Sequence, residues 1–347
     1  MATTTGATKK TSYRKRTPEQ IAAEHDALRA RQREGIMALM DSDQWRRFLL
    51  AGSLFRKYSA NNTMLILVQC PQATQVAGFK VWKALNRKVV SGPGSSIKIW
   101  GRPPRTTLWV EEDAVKPETK VLARKDGKVK IEGSYTRCPI LSVFDISQTE
   151  GAEIAVTSAL GAGTEGEREI AEEVWERSLA YLDAEGWTVE VAPIPGTARG
   201  FTSHQAKTVT IREGMDVLDR ARTVLHEIAH VVLHGDSTWA PVDEYHSCNA
   251  HRGLAEVQAE SVAFTLANFF GLDTEAMSTG YVAGWAMSAA GSQEQDALLA
   301  VVEKTMKAVH AGVTTAWKGL GGEEADEEAQ PQETDAAAVQ QDMTTAA

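Results

Sequence analysis

Val224-Leu-His-Glu-Ile-Ala-His-Val-Val-Leu-His234 is the stretch on which the reading of this chain turns. Residues four apart on a helix share a face, so His226 and His230 lie side by side with Glu227 next to the first. Val224, Leu225, Ile228, Val231 and Val232 give the opposite face an apolar stripe of helical period. Two imidazoles so placed can grip one Zn²⁺, and the glutamate then points at the remaining coordination position. This is the pattern of a zinc hydrolase, most often a peptidase, with His226 and His230 as ligands and Glu227 as the catalytic base that takes a proton from water.

A catalytic zinc site takes a third protein ligand and leaves one position open. The segment Arg252–Phe264 reads as a second helix, running on to a stop at Gly271. Glu256 and Glu260 share one face of it. Glu256 is expected as the third metal ligand, with Glu260 one turn on and able to hydrogen-bond a liganding histidine. Mn²⁺ or Co²⁺ could occupy the same ligands as Zn²⁺. His234 extends the histidine stripe by one turn and reads as a core group or a partner of a ligand. Tyr281, His204 and His246 are candidates for a further donor to an oxyanion. The competing reading is two amphipathic core helices with solvated glutamates.

At 347 residues the chain has room for two domains and tails. No apolar run reaches the length of a membrane span, and the first residues lack the apolar segment of a signal peptide. Cys70, Cys138 and Cys248 are widely spaced, which argues against a disulfide framework or a thiolate metal site. A cytoplasmic protein with no membrane partner is expected. The net charge of −9 conceals an asymmetry. Residues 1–140 hold 26 Lys+Arg against 12 Asp+Glu (net +14), and the remainder 11 against 34 (net −23). A cationic half attracts polyanions by releasing their counterions.

The expected organisation is a disordered basic arm at 1–16, an α+β domain at 17–146, a linker at 147–166, a second domain at 167–318 and a disordered acidic tail at 319–347. Thr17 should cap the first helix with Pro18 in its first turn. Further helices are expected over about 43–58 and from Asn61 to Pro71, with an exposed hairpin turning at Asp126-Gly127. A helix over 165–185 ends at Gly186, strands follow near 188–191 and 208–212, and alanine-rich helices occupy 292–315. As an edge strand, 208–212 could take up an extended peptide.

Beyond the metal motif, the chain carries Tyr58-Ser-Ala-Asn-Asn-Thr-Met-Leu-Ile66, Gln69-Cys-Pro-Gln-Ala-Thr74, Gly78-Phe-Lys-Val-Trp82, Arg87-Lys-Val89, Val143-Phe-Asp-Ile-Ser-Gln-Thr-Glu-Gly151 and Gly280-Tyr-Val-Ala-Gly-Trp285. With Leu225–His234 and Leu254–Phe264, this ordered series resembles the ArdC-type antirestriction proteins of plasmids and phages over most of residues 40–290. The resemblance implies an N-terminal single-stranded-DNA-binding domain and a C-terminal zincin-like metallopeptidase domain related to the ImmA/IrrE peptidases. Its ligand order His, His, Glu is of the gluzincin type. One departure is Leu85-Asn86-Arg87, where the family usually has Leu-Gly-Arg.

A single-strand binder needs cations for phosphates and aromatic faces for bases. Arg56, Lys57, Tyr58, Lys80, Trp82, Arg87 and Lys88 supply both, and Asn62 could bond sugar or base. The expected function is antirestriction: binding of single-stranded DNA, or of the duplex formed from it, by a protein with a zinc metallopeptidase-type site that protects incoming DNA from host restriction. Two alternatives remain open. One is a metallopeptidase that cleaves a regulatory protein; the other is a DNA-coating protein whose metal site is structural or vestigial.

Overall fold

The computed structural model describes residues 17–322 apart from 91, 93, 103–106, 112–120, 133–137, 153–164, 236–248, 276, 278–281 and 292–293. The basic arm, most of the linker, nearly all of the acidic tail, Tyr281 and His246 lie outside the described residues.

The N-terminal half opens with three capped helices. Thr17 accepts from the Gln20 backbone while the Gln20 side chain accepts from Thr17, a reciprocal cap that starts α1 (Pro18–Ala38). The Asp41 carboxylate accepts from the Asp43 and Gln44 amides and starts α2 (Ser42–Leu54). The Ser59 hydroxyl caps α3 (Ala60–Gln69). Next come β1 (Val76–Gly78), α4 (Phe79–Ala84), β2 (Arg87–Val89), β3 (Ile97–Trp100), β4 (Thr107–Glu111), β5 (Val121–Lys125), β6 (Lys128–Glu132), β7 (Ile140–Asp145) and β8 (Thr149–Gly151). They pair antiparallel as β1-β7-β3, β2-β8 and β4-β6-β5. The expected hairpin turn is present: Asp126 (φ 52°) and Gly127 (φ 75°) are both left-handed, as a two-residue turn between twisted strands requires. Asn86 also stands at φ 55° between α4 and β2. Asparagine tolerates that region better than most residues.

The buried Asp145 carboxylate accepts from the backbone amides of Thr74, Gln75 and Ser147 and from the Ser147 hydroxyl. It ties the loop before β1 to the end of β7, which accounts for the Phe144-Asp145-Ile146-Ser147-Gln148 motif as a structural device. The linker expected from residue 147 is corrected here: Thr149–Gly151 is a strand paired with Arg87–Val89.

The C-terminal half contains α5 (Glu165–Ala184), β9 (Thr188–Ala192), β10 (Gly200–Ser203), β11 (Thr208–Arg212), α6 (Val217–His234), α7 (Asn249–Phe270), α8 (Val282–Ala290) and α9 (Gln295–Gly319). Strand β11 pairs parallel to β9 and antiparallel to β10. The strand at 208–212 was expected at an edge; it is the middle strand, and its buried Val209 and Ile211 explain why. Among the described residues the edges of this sheet are β9 and β10.

One hydrophobic cluster runs through both halves. α2 packs on α7, and the fully buried Trp45 donates its indole N–H to Ser261 Oγ at 2.9 Å. Arg46 stacks over Phe264 and donates to the Thr274 and Met277 carbonyls. His310 of α9 bonds the Tyr58 carbonyl through Nε2 at 2.9 Å. Each buried side chain of leucine or phenylalanine size in such a core contributes about 1.5–3 kcal/mol. A smaller cluster of Trp82, Val89 and Phe144 closes the far end of the N-terminal half. Among the described residues no helix is long and apolar enough to cross a membrane.

Candidate metal centre

Asp216 starts α6 by accepting from the Leu218 and Asp219 amides. Ala221, Val224, Leu225, Ile228 and Ala229 bury one side of that helix, packed with α5, α7 and α9. This packing fixes the helix rotation, and the opposite stripe presents His226, His230 and His234 in a row. Successive ring centroids are 4.8 and 5.1 Å apart. Glu256 reaches the row from α7.

The three expected ligands converge. His226 Nε2 lies 3.1 Å from His230 Nε2. Glu256 Oε2 lies 3.4 Å from the first and 3.9 Å from the second. Donor atoms bound at 2.0–2.1 Å to one tetrahedral ion are roughly 3.3 Å apart. The observed separations bracket that value, so the three residues fit a divalent ion. Glu256 is half-buried, with 45% of its side chain exposed, and His230 is nearly closed off, so the open side of the site faces solvent past the carboxylate.

Glu227, 4% exposed, sits beside the ligands. Its Oε2 accepts from the Thr202 hydroxyl at 2.7 Å. Burial pushes its carboxyl above the usual range, against the opposing pull of His226 and the Thr202 bond. His230 is pushed down to about 3 by burial and by the neighbouring charges of His226 and His234, so it is a neutral imidazole, as a ligand must be. For His226, burial works downward, but the Glu256 bond and the charges of Glu227, Glu256 and Glu260 outweigh it and hold the ring above its ordinary value. Glu260 thus acts on His226 through its charge.

A pH dependence follows for metal uptake. Because the folded His226 holds its proton to higher pH than an ordinary histidine, a metal must displace that proton, and affinity falls as pH drops through the raised value. Calorimetry in buffers of different ionisation enthalpy should record proton release on metal uptake, growing as pH falls towards the raised His226 value. Uptake without proton release would contradict this.

The residues expected to contact nucleic acid separate into two groups. Tyr58 (6% exposed) and Trp82 (2% exposed) are core side chains: the phenol donates to the Val76 carbonyl and the indole to the Phe144 carbonyl. Asn62 is buried too and clamps the backbone of Trp100 through both ends of its amide. These three are corrected from ligand contacts to structural groups, since a base cannot stack on a ring already packed in the core. Arg56 lies over the Phe269 and Trp317 rings. Arg87 is tied to Thr149, Gly151 and Ala152 across the β2-β8 pair. Lys57, Lys80 and Lys88 are exposed. The aromatic signal misled because a tryptophan or tyrosine among lysines reads the same whether its ring faces water or the core.

No family model matches the chain. An uncharacterized protein of Bacillus anthracis is 24% identical over 275 residues, which cover 72% of this chain; the chain spans 44% of that relative's length. Crystal structures that match most of the chain include one that is metal-free and one with Mn(II) bound. Both are of the antirestriction protein ArdC from the R388 plasmid. The metal-free structure is 15% identical with a TM-score of 0.39, covering 77% of this chain and 86% of ArdC. The Mn(II) structure is 14% identical with a TM-score of 0.43, covering 76% and 85%.

Some residues of the centre were absent from both the metal motif and the ArdC-type resemblance. Gly200 and Thr202 come from β10, which runs alongside α6. A Cβ on Gly200 would stand 2.8 Å from Glu227 Oε1 and 2.9 Å from Thr223 Cγ2. The available signal was a glycine at the start of a short strand, which often marks close approach of another group. His204, a candidate donor, packs edge-on to Trp187 beside Gly235 at the far end of α6.

Proposed function

We propose that the protein is a metal-dependent hydrolase of the zincin type that acts on a polypeptide, joined to a basic half that binds single-stranded DNA, and that it serves a mobile element by antirestriction. The observation that carries the hydrolase reading is the convergence of His226, His230 and Glu256 beside a buried carboxylate, Glu227. A structural metal has no use for that carboxylate. A divalent ion held by the three ligands would polarise a scissile carbonyl and acidify a water, with Zn²⁺, Mn²⁺ or Co²⁺ compatible with the donor set.

The chain's own residues do the rest. Thr202 holds Glu227 Oε2, which leaves Oε1 to take a proton from water and return it to the leaving amine. Burial raises the carboxyl above its usual range, which makes the carboxylate a stronger proton acceptor than an exposed glutamate. β10, an edge strand beside this carboxylate, can pair with an extended peptide and lay its backbone across the centre.

The DNA-binding part rests on the +14 charge of residues 1–140, on exposed Lys57, Lys80 and Lys88, and on the ArdC-type motif series. The burial of Tyr58, Trp82 and Asn62 favours a second reading. In it, the basic half docks a protein, and the centre cleaves a regulatory polypeptide. One titration separates the two: fluorescent single- and double-stranded oligonucleotides at two salt concentrations, with the wild type and His226→Ala/His230→Ala. Tighter single-strand binding by both proteins is expected, with log affinity falling by about 0.7 per phosphate contact for each log unit of salt. Absence of binding to either DNA would sink the antirestriction reading and leave the second.

A further inference from the structure

His230 and His234 stand one turn apart on α6, and their facing atoms are both Nδ1, 3.0 Å apart. Two ring nitrogens at that distance share one proton, so one donates and the other accepts. On its other side, His230 presents Nε2 to His226 Nε2 and Glu256. His234 presents Nε2 to Gln258 Oε1 at 3.0 Å. Gln258 is 1% exposed and belongs to α7, two residues beyond Glu256.

Only one arrangement of protons suits a metal at His230. A bare Nε2 on His230 requires its proton on Nδ1, donated to His234. The accepting His234 then carries its proton on Nε2, and that proton points at the Gln258 carbonyl oxygen. With the opposite sense of the Nδ1 contact, a neutral His230 would aim an N–H into the ligand cluster and shut the site. Gln258 turns its Oε1 toward His234 and leaves its buried Nε2 without a hydrogen-bond partner among the described residues; because that oxygen accepts and does not donate, it breaks the tie.

We propose that His234 and Gln258 are positioning residues: the chain Gln258 Oε1···H–Nε2 His234 Nδ1···H–Nδ1 His230 holds His230 in the tautomer and ring orientation that offers Nε2 to a metal. The proposal rests on the metal-centre reading and extends it from α6 into α7. It gives the third histidine of the row a role other than ligand, and it links α7, the helix that carries Glu256, to the geometry of His230.

The test uses the full chain and two readouts. Nitrogen-15 NMR of histidine-labelled, metal-free protein reports tautomers, and Co²⁺ uptake followed by visible absorption against a competing chelator reports affinity. Wild type should show His230 protonated at Nδ1. His234→Leu should shift that signal toward the Nε2–H form and weaken Co²⁺ binding by about 10–100-fold. His234→Gln, whose amide can accept from His230 and donate to Gln258, should restore most of the affinity. Gln258→Leu, which removes only the outer acceptor, should weaken binding by a smaller factor, and Gln258→Glu should leave it undiminished. Equal Co²⁺ affinity and an unchanged tautomer in His234→Leu and Gln258→Leu would overturn the positioning role while leaving the metal centre intact. No uptake of Co²⁺, Zn²⁺ or Mn²⁺ by the wild type would instead remove the centre itself, and this inference with it.

Discussion

Glu227→Gln should cut peptide-bond hydrolysis by about 10²–10⁴-fold, the usual contribution of a positioned general base, while metal content stays near that of the wild type. The amide is isosteric with the carboxylate, and its oxygen can still accept from the Thr202 hydroxyl, so the side chain keeps its place. None of the three converging donors is changed. What is lost is the capacity of Oε1 to take up a proton. The comparison is turnover of a denatured protein such as casein by metal-loaded wild type and variant, with metal measured by mass spectrometry on the same samples. Wild-type turnover should also fall as pH drops through the raised Glu227 value, because a base works only when deprotonated. Turnover undiminished in the variant would sink the assignment of Glu227.

Gly200→Val is expected to give the second large effect, through sterics. The first added atom alone would meet Glu227 Oε1 at 2.8 Å, Thr223 Cγ2 at 2.9 Å and the Thr210 carbonyl at 3.1 Å, all tighter than van der Waals contact. β10 is held to β11 by antiparallel pairing and cannot retreat without breaking its ladder. The strain therefore falls on the carboxylate. Overpacking of this kind costs about 1–3 kcal/mol of stability. A displacement of roughly 1 Å at a reacting group costs on the order of 10²-fold in rate. Chemical denaturation and turnover on the same preparation separate the two costs. A variant with wild-type turnover would mean that Glu227 tolerates displacement and that β10 does not set its position.

Parts of this site were legible before any coordinates. The His226–His230 pair and Glu227 follow from the helical period, and Glu256 from a second helix carrying a carboxylate on its apolar-flanked face. Thr17, Pro18 and Asp126-Gly127 act locally, through caps and turn dihedrals, and each sits where local chemistry places it. Other elements were not legible. β1 and β8 are three residues long, too short for alternation to register, and β10 reads Gly-Phe-Thr-Ser with little apolar pattern. The strand at 208–212 carried enough apolar character to be recognised, but its neighbours decide whether it is an edge. Tyr58, Trp82 and Asn62 were read as ligand contacts because a sequence gives residue type without direction; the core claimed all three.

By itself, then, the sequence determined which residues share a helix face: backbone hydrogen bonding repeats every 3.6 residues whatever lies around it, so His226, His230 and His234 form a row in any folded context. Only the tertiary structure decided what meets that row. Glu256 and Gln258 from α7, and Gly200 and Thr202 from β10, arrive because distant apolar faces bury one another and fix the rotation of each element. Side-chain burial has no sequence range, so the neighbours of the histidine row and of Glu227 became visible only when the core was closed.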